Sequence, residues 1–386
     1  MQLAVIGAGH AGMEAAKAAA EAGIGVTLFS AETVLPYFRP RLPAVAFGQE
    51  SQDAIRMKPP EWFTKQAIDL RLDSPVTALD PTAGRLTVAG ETLAFDAAVL
   101  ATGAMPVLPP FVAGCPERVL PLWSAAQAQA IRALVRPGGH VVVVGGGILG
   151  IEAGLRAREA GMRVTMVEKL ERLMPMQFGP PASAFLLQQI TAKQIDVRLG
   201  QSVQKAEPAG TAVRIALDRG VVLEADFAVV CIGARPGVSL AARAGLAVER
   251  GVCVDDHLRT SCQRLFAAGD LIQFQGVSRC SARDAAAQGR VAGANAAAQL
   301  TGKPLGVYAS EGTPLMFKSK DVEMYALGEP GGTGCTEWFP TGTAGTAFRA
   351  LVLRAGRAVG AQLIGTRQGL DDYLAMVRAG SEVKDG

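Results

Sequence analysis

Two stretches of this chain carry the same succession of apolar run, glycine loop and alanine-rich helix. In residues 141–168, VVVVGGGILGIEAGLRAREAGMRVTMVE, Val141 to Val144 form an unbroken β-branched run. That is the pattern of a strand buried on both faces in a parallel sheet. A helical stretch rich in alanine and arginine follows, then a second apolar run, Val164 to Val167, ending at Glu168. Residues 3–30 repeat the plan. Leu3 to Ile6 predict a strand, an alanine-rich helix carries Glu14 and Lys17, Gly23 ends it, and Val26 to Phe29 predict the next strand. Each unit is followed by a short antiparallel meander. In the first half this is Arg85–Ala89, a turn at Gly90, Thr92–Phe95 and Ala97–Thr102, running into Thr102-Gly103-Ala104-Met105-Pro106. In the second half it is residues 212–216, 221–224 and Ala228–Ile232, running into Ile232-Gly233-Ala234-Arg235-Pro236. Unrelated loops would not share a following meander and a terminal glycine, so the halves are one design used twice, the second inserted after the first.

The remaining elements are simpler. LPYFRPRLP, residues 35–43, holds three prolines and two arginines and predicts a stiff loop. Residues 53–69, with Trp62 and Phe63, predict a helical stretch, and residues 73–81 a short strand at Val76. Past the second unit, Gly251–Asp255 and Leu265–Ala268 predict strands, the latter ended by Gly269-Asp270, and Ala285–Gln299 predicts a helix. From about residue 306 the character changes to short β runs, Phe348–Val352 and Val359–Ile364, glycine turns and a terminal helix near Leu370–Arg378. The expected fold is α/β. Two Rossmann-like nucleotide-binding domains, 1–109 with 232–305 and 110–231, precede a small α+β C-terminal domain, 306–386.

Composition narrows the function classes. A length of 386 residues suits two or three domains. Aromatics are scarce while alanine and glycine abound, as close helix–sheet packing requires. The net charge of +3 comes from interspersed acids and bases, which gives no footprint for nucleic acid. QLAVIGAG enters a strand at once, without a basic leader or cleavage site, and the apolar stretches are too short to span a bilayer. A cytoplasmic protein with no membrane contact is therefore expected. Six cysteines are scattered without C-x-x-C or C-x-x-x-x-C, so no metal or cluster site has local support, and reduced structural thiols are expected, with Cys231 in the core. The three histidines, His10, His140 and His257, are dispersed, and no Ser/His/Asp grouping is legible.

The chemistry lies in the glycine loops. Gly145, Gly147 and Gly150 spell G-x-G-x-x-G. The first glycine permits the turn, the second lets backbone approach a pyrophosphate, and the third lets the helix pack closely, with the helix N-terminus aimed at the phosphates. Glu168 follows Gly145 by 23 residues, where an acid accepts the ribose hydroxyls of adenosine. A carboxylate there repels a 2′-phosphate and favours NAD(H), with Lys169 and Arg172 read as solvated charges. Gly7, Gly9 and Gly12 repeat the motif, but Ser30 stands where Glu168 would, and Glu32 is two residues on. Either Ser30 and Glu32 share a ribose contact or that nucleotide is held mainly elsewhere. His10 reads as a variable side chain of the loop rather than a base. Arg39 and Arg41 have the reach to contact a pyrophosphate or a flavin edge. Gly269-Asp270 ends a strand on the edge where open α/β sheets bind ligands.

These motifs, with Ala101-Thr102-Gly103, resemble in combination the FAD-dependent pyridine nucleotide–disulfide oxidoreductase family over about residues 1–300. The resemblance implies FAD in the first unit, with Asp270 on the ribitol and Val76 against adenine through its backbone. It implies NAD(P)H in the middle unit, and makes Glu152 of GILGIEAG a nicotinamide contact. Within the family, Y-x-R-P-x-L at Tyr37–Leu42 is similar to rubredoxin reductases, ferredoxin reductases of oxygenase systems and the flavin portion of nitrite reductases, and Arg39 is similar to a FAD-contacting arginine there. Pro314, Lys318 and Gly328 look like the shortened third domain of the rubredoxin-reductase type. The redox dithiol of glutathione-reductase-like members is absent, and Ala44 occupies the place of a lysine that often follows the loop. The implied activity is electron transfer from NADH through flavin to rubredoxin or ferredoxin. Three alternatives stay open. An NADH oxidase or peroxide reductase is disfavoured because no cysteine precedes Cys115. The others are a flavin subunit of a larger reductase and a non-catalytic nucleotide-binding sensor.

Overall fold

The computed structural model describes residues 1–310, 312, 314–339, 345 and 347–383. Two five-stranded sheets, both wholly parallel, carry the two units. The first runs Leu265–Ala267, Ala97–Leu100, Gln2–Ile6, Gly25–Phe29, Ile68–Arg71. The second runs Ile195–Arg198, Arg163–Val167, His140–Val144, Phe227–Val230, Val119–Pro121. Their central strands are fully covered, as the unbroken apolar runs predicted: Val5, Val99, Val142 and Val143 have no exposed surface. Each sheet carries its meander, Val76–Asp80 with Arg85–Val88 and Glu91–Ala94 in one, Val203–Ala209 with Ala212–Leu217 and Val222–Ala225 in the other.

The two matching glycine-ended segments meet each other. Ala104–Pro106 and Ala234–Pro236 pair as an antiparallel ribbon, with Met105 opposite Arg235. The chain leaves the first sheet after Leu100, builds the second, and returns through this ribbon to add Leu265–Ala267 beside Ala97–Leu100. A third sheet is antiparallel: Leu315–Lys318, Glu323–Gly328, Arg357–Ile364, Phe348–Arg354, Cys335–Trp338, with helix Leu370–Ala379 packed on it. Buried Gln362 ties this sheet to the second unit, accepting from Gly179 N–H at 3.1 Å and donating to the Pro330 carbonyl at 2.9 Å. Among the described residues no helix is long and apolar enough to cross a membrane.

Two expectations are corrected. The predicted helix over 53–69 ends early. Pro60–Lys65 is helical, Ala67 has a positive φ of 53°, and Ile68–Arg71 becomes the edge strand of the first sheet. The apolar–polar alternation Ile68-Asp69-Leu70-Arg71 carries period two, which outweighs the helical context around it. The stiff loop 35–43 is also partly helical, a 3₁₀ turn at Arg39–Arg41 running into helix Leu42–Ala46. Proline at the first turn of a helix is as well placed as in a loop, and Pro43 sits there.

Candidate active site

One cavity of about 1060 Å³ opens at the C-terminal ends of the first sheet. Gly7 and Gly9 line it from the first glycine loop, and Ser30, Glu32 and Arg39 from the segment after Gly25–Phe29. Val76, Ala101, Thr102 and Gly103 form another wall, and Gly269 and Asp270 close the floor. The second unit contributes Glu152, with Ile148 and Leu149, and the third sheet contributes Leu315 and Phe317. Gly12 lies beneath the loop. Arg41 does not face this cavity: its guanidinium pairs with Glu50 at 2.8 Å and donates to the Ala54 carbonyl at 3.1 Å. Gly145, Gly147, Gly150 and Glu168 form the separate loop of the second sheet.

The two loops share one backbone plan. Gly7 and Gly145 hold φ near +106° and +113°, a backbone closed to other residues without strain. Gly9 and Gly147 stand at the N-caps of helices His10–Glu21 and Ile148–Glu159, and a Cβ on either would meet nothing within 4 Å. The helix N-terminus at each loop is thus open to an anion at Gly9 and Gly147. A Cβ on Gly12 or Gly150 would overlap the carbonyl oxygen of Gly7 or Gly145.

Around the mouth of the first loop the polar groups form a knot. The Glu32 carboxylate accepts from the Tyr37 hydroxyl at 2.8 Å, Arg39 at 3.0 Å and the Ala125 N–H at 3.3 Å. Ser30 Oγ accepts from the Glu32 N–H at 3.2 Å. Arg39 also donates to the Trp123 carbonyl and lies over the Tyr37 and Trp123 rings, 5.4 and 5.8 Å from their centroids. Both the Ser30 hydroxyl and the Glu32 carboxylate are therefore engaged within the protein. The sequence singled out Arg39 but gave no signal for Trp123, whose indole N–H donates to the Ala104 carbonyl at 2.9 Å. Burial, then the nearby Arg39, pushes His10 down to about 4, so its ring is neutral at pH 7 and leaves the loop's positive end to the backbone.

Asp270 sits beside the start of helix Ala282–Leu300, whose N-terminus reaches three residues further into the cavity than predicted because Ser281 caps it. The Ser281 N–H donates to Asp270 at 3.3 Å. Burial raises the Asp270 carboxyl, and the Ser281 N–H and Arg39 oppose the rise. Cys280, a cavity residue the sequence did not reveal, faces Asp270 and is pushed up to about 11 by burial and that neighbour. All six cysteines are free, and burial holds Cys231 up at about 12. Among the described residues no group of three or more His, Cys, Asp or Glu is placed to hold a metal.

In the second loop, Glu168 Oε2 accepts from the Gly146 N–H at 2.6 Å and Oε1 from the Leu170 N–H at 2.8 Å. Each carboxylate oxygen has a further lone pair, so the fixed carboxylate retains acceptor capacity toward a ribose. Glu168→Ala is expected to narrow the NADH/NADPH preference by about 10-fold in kcat/KM, roughly 1.4 kcal/mol. Steady-state comparison of the two nucleotides checks it, and an unchanged ratio removes Glu168 from the ribose site.

Two parallel sheets, each opening on a glycine loop and helix N-terminus, with the second helix walling the first cavity, define a protein built around two dinucleotides. The chain belongs to the pyridine nucleotide-disulphide oxidoreductase family, whose model matches residues 1–299. It is similar to a rubredoxin-NAD(+) reductase of Pseudomonas putida, 33% identical over 277 residues, covering 70% of this chain and 71% of that one. A nitric oxide reductase FlRd-NAD(+) reductase of Citrobacter koseri is 31% identical over 277 residues, covering 71% and 73%. Among solved structures, the covalent putidaredoxin reductase–putidaredoxin complex aligns with a TM-score of 0.88 at 25% identity, covering 99% of this chain and 94% of that one. The ferredoxin reductase of the CYP199A2 system from Rhodopseudomonas palustris gives 0.86 at 26%, covering 99% and 96%.

Proposed function

We propose that this chain is a FAD-dependent NADH:acceptor oxidoreductase that passes electrons to a small iron protein such as rubredoxin or ferredoxin. The carrying observation is the shared wall: Ile148, Leu149 and Glu152, just beyond the second glycine loop, line the cavity of the first. A nucleotide whose phosphates rest on Gly145, Gly147 and Gly150 has its other end directed into the space that the first loop serves. The residues fit FAD. The loop at Gly7, Gly9 and Gly12 is open where a pyrophosphate approaches, and Asp270 and Arg39 lie further along the same cavity. Bound there, FAD supplies hydride acceptance and one-electron release.

The chain's own residues then position and insulate. Helix His10–Glu21 directs its N–H groups at the pyrophosphate, and Arg39, fixed by Glu32, neutralises it. Asp270 accepts ribitol hydroxyls, Val76 offers backbone to adenine, and Ala101, Thr102 and Gly103 back the ring system. With Ser30 and Glu32 engaged internally, this nucleotide is held mainly elsewhere. Glu168 takes the ribose of NADH, and Glu152 faces the nicotinamide. Residues 1–109 with 232–305 form the FAD unit, 110–231 the NAD(H) unit and 306–386 the third unit, working in the cytoplasm. The names of the relatives, reductases acting on rubredoxin or putidaredoxin, support the acceptor class.

The test is an anaerobic titration of the purified protein with NADH, followed by mixing with rubredoxin, ferredoxin or oxygen. Yellow protein that bleaches and recovers fastest with an iron protein is expected. Recovery with oxygen or peroxide alone makes it an oxidase, and failure to take up FAD overturns the reading.

A further inference from the structure

On the reading just given, electrons arrive in pairs as a hydride and leave singly, so each turnover leaves one proton in the cavity. We propose that Glu152 takes this proton at the junction of the two units and returns it to solvent along the flank of helix Ile148–Glu159. The step balances. NADH gives up a hydride, two one-electron acceptors remove its two electrons, and the remaining proton bonds to a Glu152 carboxylate oxygen before passing to water.

The geometry isolates this carboxyl. Glu152 lines the cavity beside Ile148 and Leu149, with Leu42, Leu315 and Phe317 among the other walls. Among the described residues it makes no hydrogen bond or ion pair. The cation that acts on it, Arg156, is already matched to Glu159 at 3.0 Å, and the acid that acts on it, Glu50, is matched to Arg41 at 2.8 Å. Residue 44, where the family resemblance leads one to expect a lysine, is a buried alanine. The strands under the helix present Val143, Val164, Met166 and Ile195 to it at Gly150 and Gly154. Across the cavity, Arg39 acts on His10, Tyr37 and Asp270 instead. Burial pushes the Glu152 carboxyl up to about 7, with Arg156 opposing and Glu50 adding to the rise. A group that titrates at the working pH both takes and releases a proton readily. Glu50 Oε2 and Arg156 Nε, on the two charged residues that act on this carboxyl, are buried without a protein partner.

The experiment uses the FAD-loaded protein, reduced with one equivalent of NADH and mixed with ferricyanide in weak buffer containing a pH indicator. Colour recovery and proton release are followed together. The base form is needed, so recovery should rise about 10-fold as pH increases through a midpoint near 7. Glu152→Gln should slow recovery about 10-fold at alkaline pH, flatten the profile and make proton release lag. Glu50→Gln, which removes a repelling charge, should move the midpoint down. Infrared difference titration of the protein without nucleotides should show a carboxyl band lost near pH 7, and Glu152→Gln should lack it. A profile unchanged in both variants, or a band that survives Glu152→Gln, overturns the proposal. Protein that takes up no FAD, or is not bleached by NADH, fails the functional reading itself, whereas bleaching and recovery with a flat profile sink only the role of Glu152.

Discussion

Gly12→Ala should emerge folded and colourless. A methyl group at this position overlaps the carbonyl oxygen of Gly7, which is backbone and cannot swing aside as a flexible side chain would. Relief comes from lifting the loop off the helix, and the lifted loop enters the space where a pyrophosphate rests. Overpacking of this kind costs about 1–3 kcal/mol of stability, which a protein of this size survives. Binding loses more, because the phosphate contacts require every loop N–H in register with the helix end. FAD affinity is expected to fall at least ~100-fold, about 2.7 kcal/mol, enough for purification to strip the flavin. Visible absorption and flavin released on heating measure it directly, and a stoichiometrically yellow Gly12→Ala protein would sink the assignment of this loop to FAD.

The counterpart change separates the two sites. In Gly150→Ala the added methyl overlaps the Gly145 carbonyl oxygen in the same way, yet the loop belongs to the second sheet. This variant should keep its flavin and its colour but need at least ~100-fold more NADH to bleach at a given rate. Reduction by a chemical reductant should proceed as in the parent protein, since that route bypasses the nucleotide loop. If Gly150→Ala instead loses its colour as Gly12→Ala does, the two loops are not loaded by different nucleotides. The contrast between the variants carries more weight than either result alone, because general destabilisation moves both in the same direction.

Much of this architecture was legible because the chain states it twice. Val141–Val144 and Leu3–Ile6 could only be buried parallel strands once each was followed by glycines and a helix, and both lie at the centres of their sheets. Ile68–Arg71 was masked, since its period-two alternation lasts only four residues and directly follows a helical stretch. The third sheet was read only in part. Leu315–Lys318 and Cys335–Trp338 are edge strands of an antiparallel sheet, half exposed and mixed in character, and they lack the apolar continuity that marks a covered strand. At the cavity, the positions of Gly7, Gly9, Gly269 and Asp270 were legible because each follows a strand end directly in sequence. The Glu32–Tyr37–Arg39–Trp123 knot was missed as a unit because it joins residues up to 91 positions apart, and only the folded chain brings the Trp123 carbonyl to the Arg39 guanidinium.

The return of the chain to its first sheet also fixes an order of assembly. Every strand of the second sheet lies between Val119 and Val230, whereas the first sheet lacks an edge until Leu265–Ala267 has been made. As the chain leaves the ribosome, the inserted sheet is complete while the enclosing one still lacks one edge strand of its five. The paired crossings at Ala104–Pro106 and Ala234–Pro236 then act as a clasp that brings the late strand home. Asp270 arrives only just after that strand, so the cavity has no floor until synthesis has passed these residues.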